Sequence, residues 1–420
     1  MKPKLLTTLR DYSPGQFRAD ALGGLTVAMV AIPLSLAIAI ASGAGPAAGL
    51  ITAIVGGFLI SLLGGSRVQI GGPTGAFIVV VYGVVAQYGY DGLVLATLMA
   101  GGILLLAGVL RAGNLVEYVP EPVINGFTIG IAVIIGSGQI KDFLGLTVAT
   151  MPADFVPKMA AMWAARATFS PAALAAGLAA LVLIVGMRRL FPRVPGLIVA
   201  MAVVSGVIAL LDLPVDSIGS RYGALPAGLP MPHIPAFTLA RLQELLPSAL
   251  VIAFLAAIES LLSAMVADRL IEGSHRPNAE VLAQGWANIG SALFGGLPAT
   301  GAIARTATNV RAGGRTPVAG LVHAAAILIV MLIAAPLAGY MAMPALAALL
   351  LTTAWNMSEP HKWRHYWQAP LSDRFLLVLT LVLTVLADLT VAIGVGVGLG
   401  LALRLREGRT GVEEWSEPDR

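Results

Sequence analysis

Two distant stretches carry the chemistry of this chain: GGPTGAF at 71–77 and PATGAI at 298–303. Each interrupts an apolar run with Pro and Gly, and each leads into a short helical segment. The first N–H groups of a helix have no partner within it and carry partial positive charge. Glycine beside them lets a ligand reach the backbone. Two such helix starts converging would cradle an anion with partial charges alone. Arg305 lies just inside the second short helix and would add a full cation. Glu259, within LVIAFLAAIESLLSAMVAD, shares a helix face with Ser263 four residues on. Charges in such apolar surroundings are costly and mark function. Three readings of the pair stay open. Glu259 and Arg305 form a static ion pair, Arg305 snorkels to the inner surface, or both line a cavity where Glu259 balances the guanidinium or carries a coupled proton. Glycine also serves close helix packing, but the matched repeat favours a site.

The elements that position these residues follow from composition. Of 420 residues, 57% are apolar and 11% charged, against roughly 25% charged in soluble domains. A bilayer is the solvent that suits such a chain. Apolar runs fall at 20–42, 46–64, 75–88, 91–110, 121–141, 170–187 and 195–212. They resume at 247–268, 279–296, 303–313, 317–336, 340–355, 373–388 and 390–405. With the N-terminus inside, the outer gaps hold only Lys141, Lys158, Arg166, Arg221 and Arg241. All other basic residues except Arg305 lie in inner gaps, at inner ends of spans or in the tails, as the positive-inside rule requires.

Spans three and ten are too short to cross. A dozen residues cover about 20 Å of a hydrocarbon core about 30 Å thick. Residues 68–72 and 297–300 must therefore run extended, which a membrane tolerates only inside protein or beside a water-filled cavity. Seven spans per half is odd, so the second half must run inverted relative to the first. The expectation is an all-α membrane protein of 14 transmembrane segments in two inverted seven-segment repeats, with short broken helices 3 and 10. Its divisions are a cytoplasmic amphipathic N-terminus (1–19), a first repeat (20–212), an outer loop (213–246), a second repeat (247–406) and a cytoplasmic tail (407–420).

Other chemistries find little support. No cysteine is present, so thiol, disulfide and cysteine–metal chemistry are excluded. The N-terminus lacks the apolar core of a secretory signal. No HExxH, paired-aspartate phosphate site or Ser/His/Asp set argues for an enzyme. His361 and His365 share a face but lack a third ligand, and they read as interfacial. His323, alone on an apolar helix, reads as a satisfied core residue. Asp268 reads as an inner-end cap with Arg269, and Asp388 as a solvated outer-turn residue. Basic residues form no single patch, so nucleic acid is not implied.

The stretches GGLTVAMVAIPLSLAIAIASGAGPAAGL, QIGGPTGAFIVVV and NAEVLAQGWANIGSALFGGLPATGAIARTATNVRAGGRTPVAG, with the Glu259 helix, resemble the SulP (solute carrier 26) family of anion transporters. The resemblance implies a core domain (spans 1–4 and 8–11), a gate domain (spans 5–7 and 12–14), elevator-type motion of the core and a homodimer. It implies a cavity lined by Leu34, Ile38, Gly75, Ala76, Phe77, Glu259, Ser263, Gly301, Ala304 and Arg305, with the ring edge of Phe77 toward the anion. Many members carry a polar residue where this chain has Leu34, and span one resembles the bicarbonate-transporting branch. In that branch an acid and a hydroxyl on span eight help bind sodium, the positions of Glu259 and Ser263. Family members usually end in a cytoplasmic STAS domain, whereas only EGRTGVEEWSEPDR follows the last span here. The expected function is secondary active transport or exchange of a small inorganic anion of the sulfate/bicarbonate class across the plasma membrane. The expected coupling is to a proton or sodium ion, with no cofactor or metal and with both termini cytoplasmic. The alternatives are a nucleobase or organic-anion carrier on the same fold, and a channel or voltage-dependent motor.

Overall fold

The computed structural model describes residues 2–114, 119–191, 194–387 and 389–406. The expected tail at 407–420, with Arg193 and Asp388, lies outside the described residues.

Helix α1 (Lys4–Thr8) is followed by α2 (Pro14–Ala41). The latter starts six residues before the expected edge of the first span. Ser13 and Gln16 form a reciprocal capping box there, and Pro14 supplies a preset first helical position. Helices α3 (Pro46–Ile51) and α4 (Gly57–Leu63) are one span interrupted by a π turn at Thr52–Gly56. Helix α5 (Ile78–Val109) is two helical stretches that meet at a kink at Gly89. Its φ of 71° is a left-handed value that suits glycine. Then come α6 (Glu121–Phe143), α7 (Phe155–Ala164), α8 (Pro171–Leu190), α9 (Gly196–Leu210) and α10 (Ile218–Tyr222). Helix α11 (Leu239–Ile271) begins inside the segment expected to be an outer loop, capped by the Thr238 hydroxyl. The remainder are α12 (Pro277–Leu293), α13 (Ile303–Arg311), α14 (Val318–Gly339), α15 (Met343–Met357), α16 (Trp363–Gln368), α17 (Leu371–Leu386) and α18 (Leu389–Arg406). Among the described residues, seven helices are long and apolar enough to cross a membrane.

The helices sort into two packing groups. One joins α2–α5 with α11–α14, and its largest interfaces are α5 on α12 and α2 on α14. The other joins α6, α8, α9, α15, α17 and α18, built on α6 against α15 and α17. Arg221 of α10 pairs with Asp142 at the end of α6 and with Asp216. The Asp216 carbonyl also accepts from the Met343 N–H.

Helix α1 is strapped to the first group. The Lys4 N–H donates to the Gly64 carbonyl, Lys4 Nζ to the Ser274 carbonyl, and Arg276 Nη1 to the Lys2 carbonyl. Buried Asp20 accepts from the Arg315 and Thr316 N–H groups, the Thr316 hydroxyl and the Tyr12 hydroxyl. Burial and this carboxylate push the Tyr12 hydroxyl up to about 12. The Asp268 carbonyl accepts from the Glu272 and Gly273 N–H groups at the end of α11, and its side chain turns to His275. The carboxylate accepts from the His275 N–H and pairs with His275 Nδ1 at 2.6 Å.

Candidate functional site

The two broken segments meet. β1 (Gly71–Gly72) pairs antiparallel with β2 (Thr300–Gly301), Gly71 opposite Gly301 and Gly72 opposite Thr300. The Ala302 N–H extends the pairing to the Ile70 carbonyl at 2.9 Å. Extended backbone in an apolar interior must have every N–H and C=O satisfied, and side chains complete the task. Asn288 accepts from the Ala299 N–H and donates to the Ala299 carbonyl. Thr52, in the π turn, accepts from the Leu297 N–H, and the Ser291 hydroxyl donates to the Leu297 carbonyl. The Ile70 N–H donates to Thr306 Oγ1, Asn309 donates to the Val68 carbonyl, and the Thr300 hydroxyl donates to the Ala256 carbonyl.

Among the side chains that satisfy this backbone, Thr52, Asn288, Ser291, Thr306 and Asn309 were not singled out from sequence. A signal was present: Glu280, Gln284, Asn288 and Ser291 recur at helical spacing on α12 and are all buried. Glu280 accepts from the Gly65 and Ser66 N–H groups, the Ser260 hydroxyl and the Gln284 amide, so both carboxyl oxygens are hydrogen-bonded. Gln69 reaches the Ser260 hydroxyl in turn.

Beside the strand pair, Thr74 and Ala302 occupy the N-cap positions of the turn at Gly75–Phe77 and of α13, and neither side chain caps its helix start. The Thr74 hydroxyl is buried without a partner. Arg305 is 2% exposed, so it does not snorkel to the inner surface. Its Nη2 donates to the Ser35 hydroxyl and the Pro73 carbonyl, each at 3.1 Å, while Nε and Nη1 are buried without partners. Among the described residues neither Glu259 nor Arg305 forms an ion pair, so the static-pair reading fails. The guanidinium instead lies against Gly72, whose φ of 151° and missing side chain leave room for Nη1.

The remaining sequence-stretch residues separate by depth. Ile38, Ala76 and Phe77 are 1% exposed and belong to the continuous apolar core, Leu34 is half-buried, and Ala304 is exposed. Gly75 meets the second group directly: a methyl there would lie 2.9 Å from Met357 Sδ and 3.4 Å from Ile135 Cδ1. Gly301 is buried against the Gln69 amide. Glu259 is half-buried, while Ser263 is fully buried and shares a 3.1 Å hydrogen bond with the Thr306 hydroxyl. His323 departs from its expected role. It is fully buried, and neither ring nitrogen has a hydrogen-bond partner. The close approach of α14 to α2 and α4 brings its ring to Gly57 rather than to a polar group.

Broken helices that meet inside a bundle, with uncapped starts and a buried unpaired guanidinium, define a membrane transporter of the discontinuous-helix class. Residues 17–380 match the Sulfate permease family, and the chain belongs to that family. It is 43% identical over 382 residues to the putative sulfate transporter YvdB of Bacillus subtilis, spanning 90% of this chain and 72% of that protein. It is 35% identical over 386 residues to the bicarbonate transporter BicA of Picosynechococcus sp., spanning 89% of this chain and 67% of that one. The transmembrane domain of a cyanobacterium bicarbonate transporter BicA superposes with a TM-score of 0.83 at 32% identity, over 91% of this chain and 99% of the other. A structure of SLC26A9 gives 0.87 at 18% identity over 96% of this chain and 68% of the other, which is a likeness of fold. The chain is thus a membrane protein of the sulfate/bicarbonate anion transporter family, as the sequence resemblance implied, and its named relatives are transporters.

Proposed function

We propose that this chain is a secondary active transporter or exchanger of small inorganic anions of the sulfate/bicarbonate class. The anion binds between the starts of the 75–77 turn and α13, beside Arg305. One observation carries this reading: a buried guanidinium with no carboxylate partner keeps two nitrogens unbonded beside two uncapped helix starts. A buried cation of this kind is costly unless an anion compensates it. Its planar donors and the backbone N–H groups suit an oxyanion. The two packing groups support an elevator mechanism, in which α2–α5 and α11–α14 carry the anion past the group built on α6. Fourteen segments in two inverted repeats would give this arrangement, and the antiparallel pairing of equivalent strands supports the inversion. We assign coupling to Glu259, half-buried and free of an ion pair, with a proton or sodium ion as the coupled species. Ser263 joins it only when its bond to Thr306 yields. The working form is a homodimer in the plasma (inner) membrane with both termini cytoplasmic.

The test is uptake of radiolabelled sulfate and bicarbonate into liposomes holding purified protein. Arg305→Ala abolishes uptake while the protein keeps its unfolding temperature within a few degrees. Normal flux in a folded Arg305→Ala variant overturns the reading.

A further inference from the structure

The segment between α6 and α8 lies on the outer side in the proposed topology and belongs to the second packing group. Helix α7 packs on α6 and α17. Its connections are closed by the Ser170 N–H donating to the Leu144 carbonyl and the Thr147 N–H donating to the Thr168 hydroxyl. From this cap a hydrogen bond and a cation–π contact cross to the first group, and both fall on Tyr82 of α5. The Tyr82 hydroxyl donates to the Met151 carbonyl at 2.8 Å. Lys158 places its ammonium 5.0 Å from the centroid of the Tyr82 ring, within cation–π reach.

Lys158 is a conspicuous residue to find there. It is 6% exposed, and among the described residues it forms no ion pair. Burial holds its pKa below the ordinary lysine value, with Asp154 acting in the opposite direction. Tyr82 is set by its own group, because its ring rests against the α2–α3 turn at Gly43, where a methyl would come within 3.3 Å. It stands five residues beyond Phe77, on the helix whose start forms half of the candidate anion site. A displacement of the first group against the second must break both contacts, since one side of each moves with α5 and the other with α6 and α17.

We propose that Met151 and Lys158 form an outer latch on Tyr82 that holds the outer approach to the anion site closed in this conformation. Lys158 and Tyr82 are then positioning residues for transport, acting through α5 and not on the anion. The inference rests on the transport reading above. The two removable interactions are a neutral hydrogen bond and a partly desolvated cation–π contact. Loss of either shifts the balance toward the outward-open state by about fivefold.

The experiment uses the absence of native cysteine. Ala304→Cys puts a single thiol at an exposed position of the candidate site. Whole cells and inverted vesicles are labelled with a membrane-impermeant maleimide, and uptake by the unmodified chain is measured in liposomes alongside. Tyr82→Phe and Lys158→Met, each in the Ala304→Cys background, raise the outside labelling rate about fivefold and lower the inside rate. Lys158→Arg, which keeps a cation over the ring, leaves both rates near the parent's. Unchanged labelling from both sides in Tyr82→Phe and Lys158→Met, while the unmodified chain transports, overturns the latch. Absence of anion uptake by the unmodified chain overturns the transport reading instead. Tyr82→Phe removes one oxygen atom, so its fold is retained if Lys158→Met unfolds the cap.

Discussion

Arg305 shows how glycines shape the site without touching a ligand. Its Nη1 occupies the space a side chain at Gly72 would fill, and on the opposite strand Gly301 gives up the same space to the Gln69 amide. A methyl at Gly301 would overlap that amide nitrogen, and Gln69 is held by the Ser260 hydroxyl and carbonyl. Overpacking of this kind costs about 1–3 kcal/mol. Gly301→Ala should therefore lower the thermal unfolding midpoint in detergent and reduce anion uptake at least tenfold. Adding Gln69→Ala should recover part of both losses, because the overlapping group is then gone. The motif GGPTGAF…PATGAI marks these glycines plainly. That Arg305 and Gln69 fill the spaces at Gly72 and Gly301 could not be read from spacing, since Gln69 lies 232 positions from Gly301.

At the scale of elements, the lesson is how an extended segment survives inside an apolar bundle. The shortness of spans three and ten required non-helical chain at 68–72 and 297–300, and those residues are non-helical, with strand at Gly71–Gly72 and from Thr300. Their pairing as strands, and the polar stripe of α12 that completes the pairing, were not anticipated. Composition counts Asn288 and Ser291 as ordinary polar residues of an apolar helix, and their role appears only when Ala299 and Leu297 lie opposite. Asn288→Leu leaves the Ala299 N–H and C=O bare. Each buried group left unpaired costs about 1–3 kcal/mol. A clear fall in unfolding temperature is expected, with uptake lost through displacement of β2. Asn288→Asp retains the acceptor for the Ala299 N–H and should be the milder change in the same assays. An unchanged midpoint in Asn288→Leu would remove the stripe's assigned role.

For the whole molecule, the relevant quantity is which solute the assembled site prefers. In the proposed site the polar groups are Arg305, Glu259 and the small hydroxyls of Ser35, Thr74 and Ser263, a set that suits a compact anion more than a flat ring. Unlabelled sulfate or bicarbonate should displace labelled anion from liposome uptake, while uracil in the same excess should not. Competition by uracil comparable to sulfate would favour the nucleobase alternative. With sodium and pH gradients imposed separately, Glu259→Gln should abolish whichever gradient dependence the unmodified chain displays, because the neutral amide neither binds a proton nor compensates a cation.

Reading along the chain was enough for the membrane setting, the two broken segments and the family, because hydropathy period, charge placement and Pro/Gly interruptions are local quantities. It misjudged the edges at Pro14 and Leu239, where caps extend the helices beyond their apolar runs. It also misjudged His323, whose surroundings are set by what packs against it. Whether Arg305 faced Glu259, the inner surface or the strand pair was settled by contact between residues more than two hundred positions apart. Burial and hydrogen-bond pairing depend on that three-dimensional proximity, and no pattern along one helix encodes it.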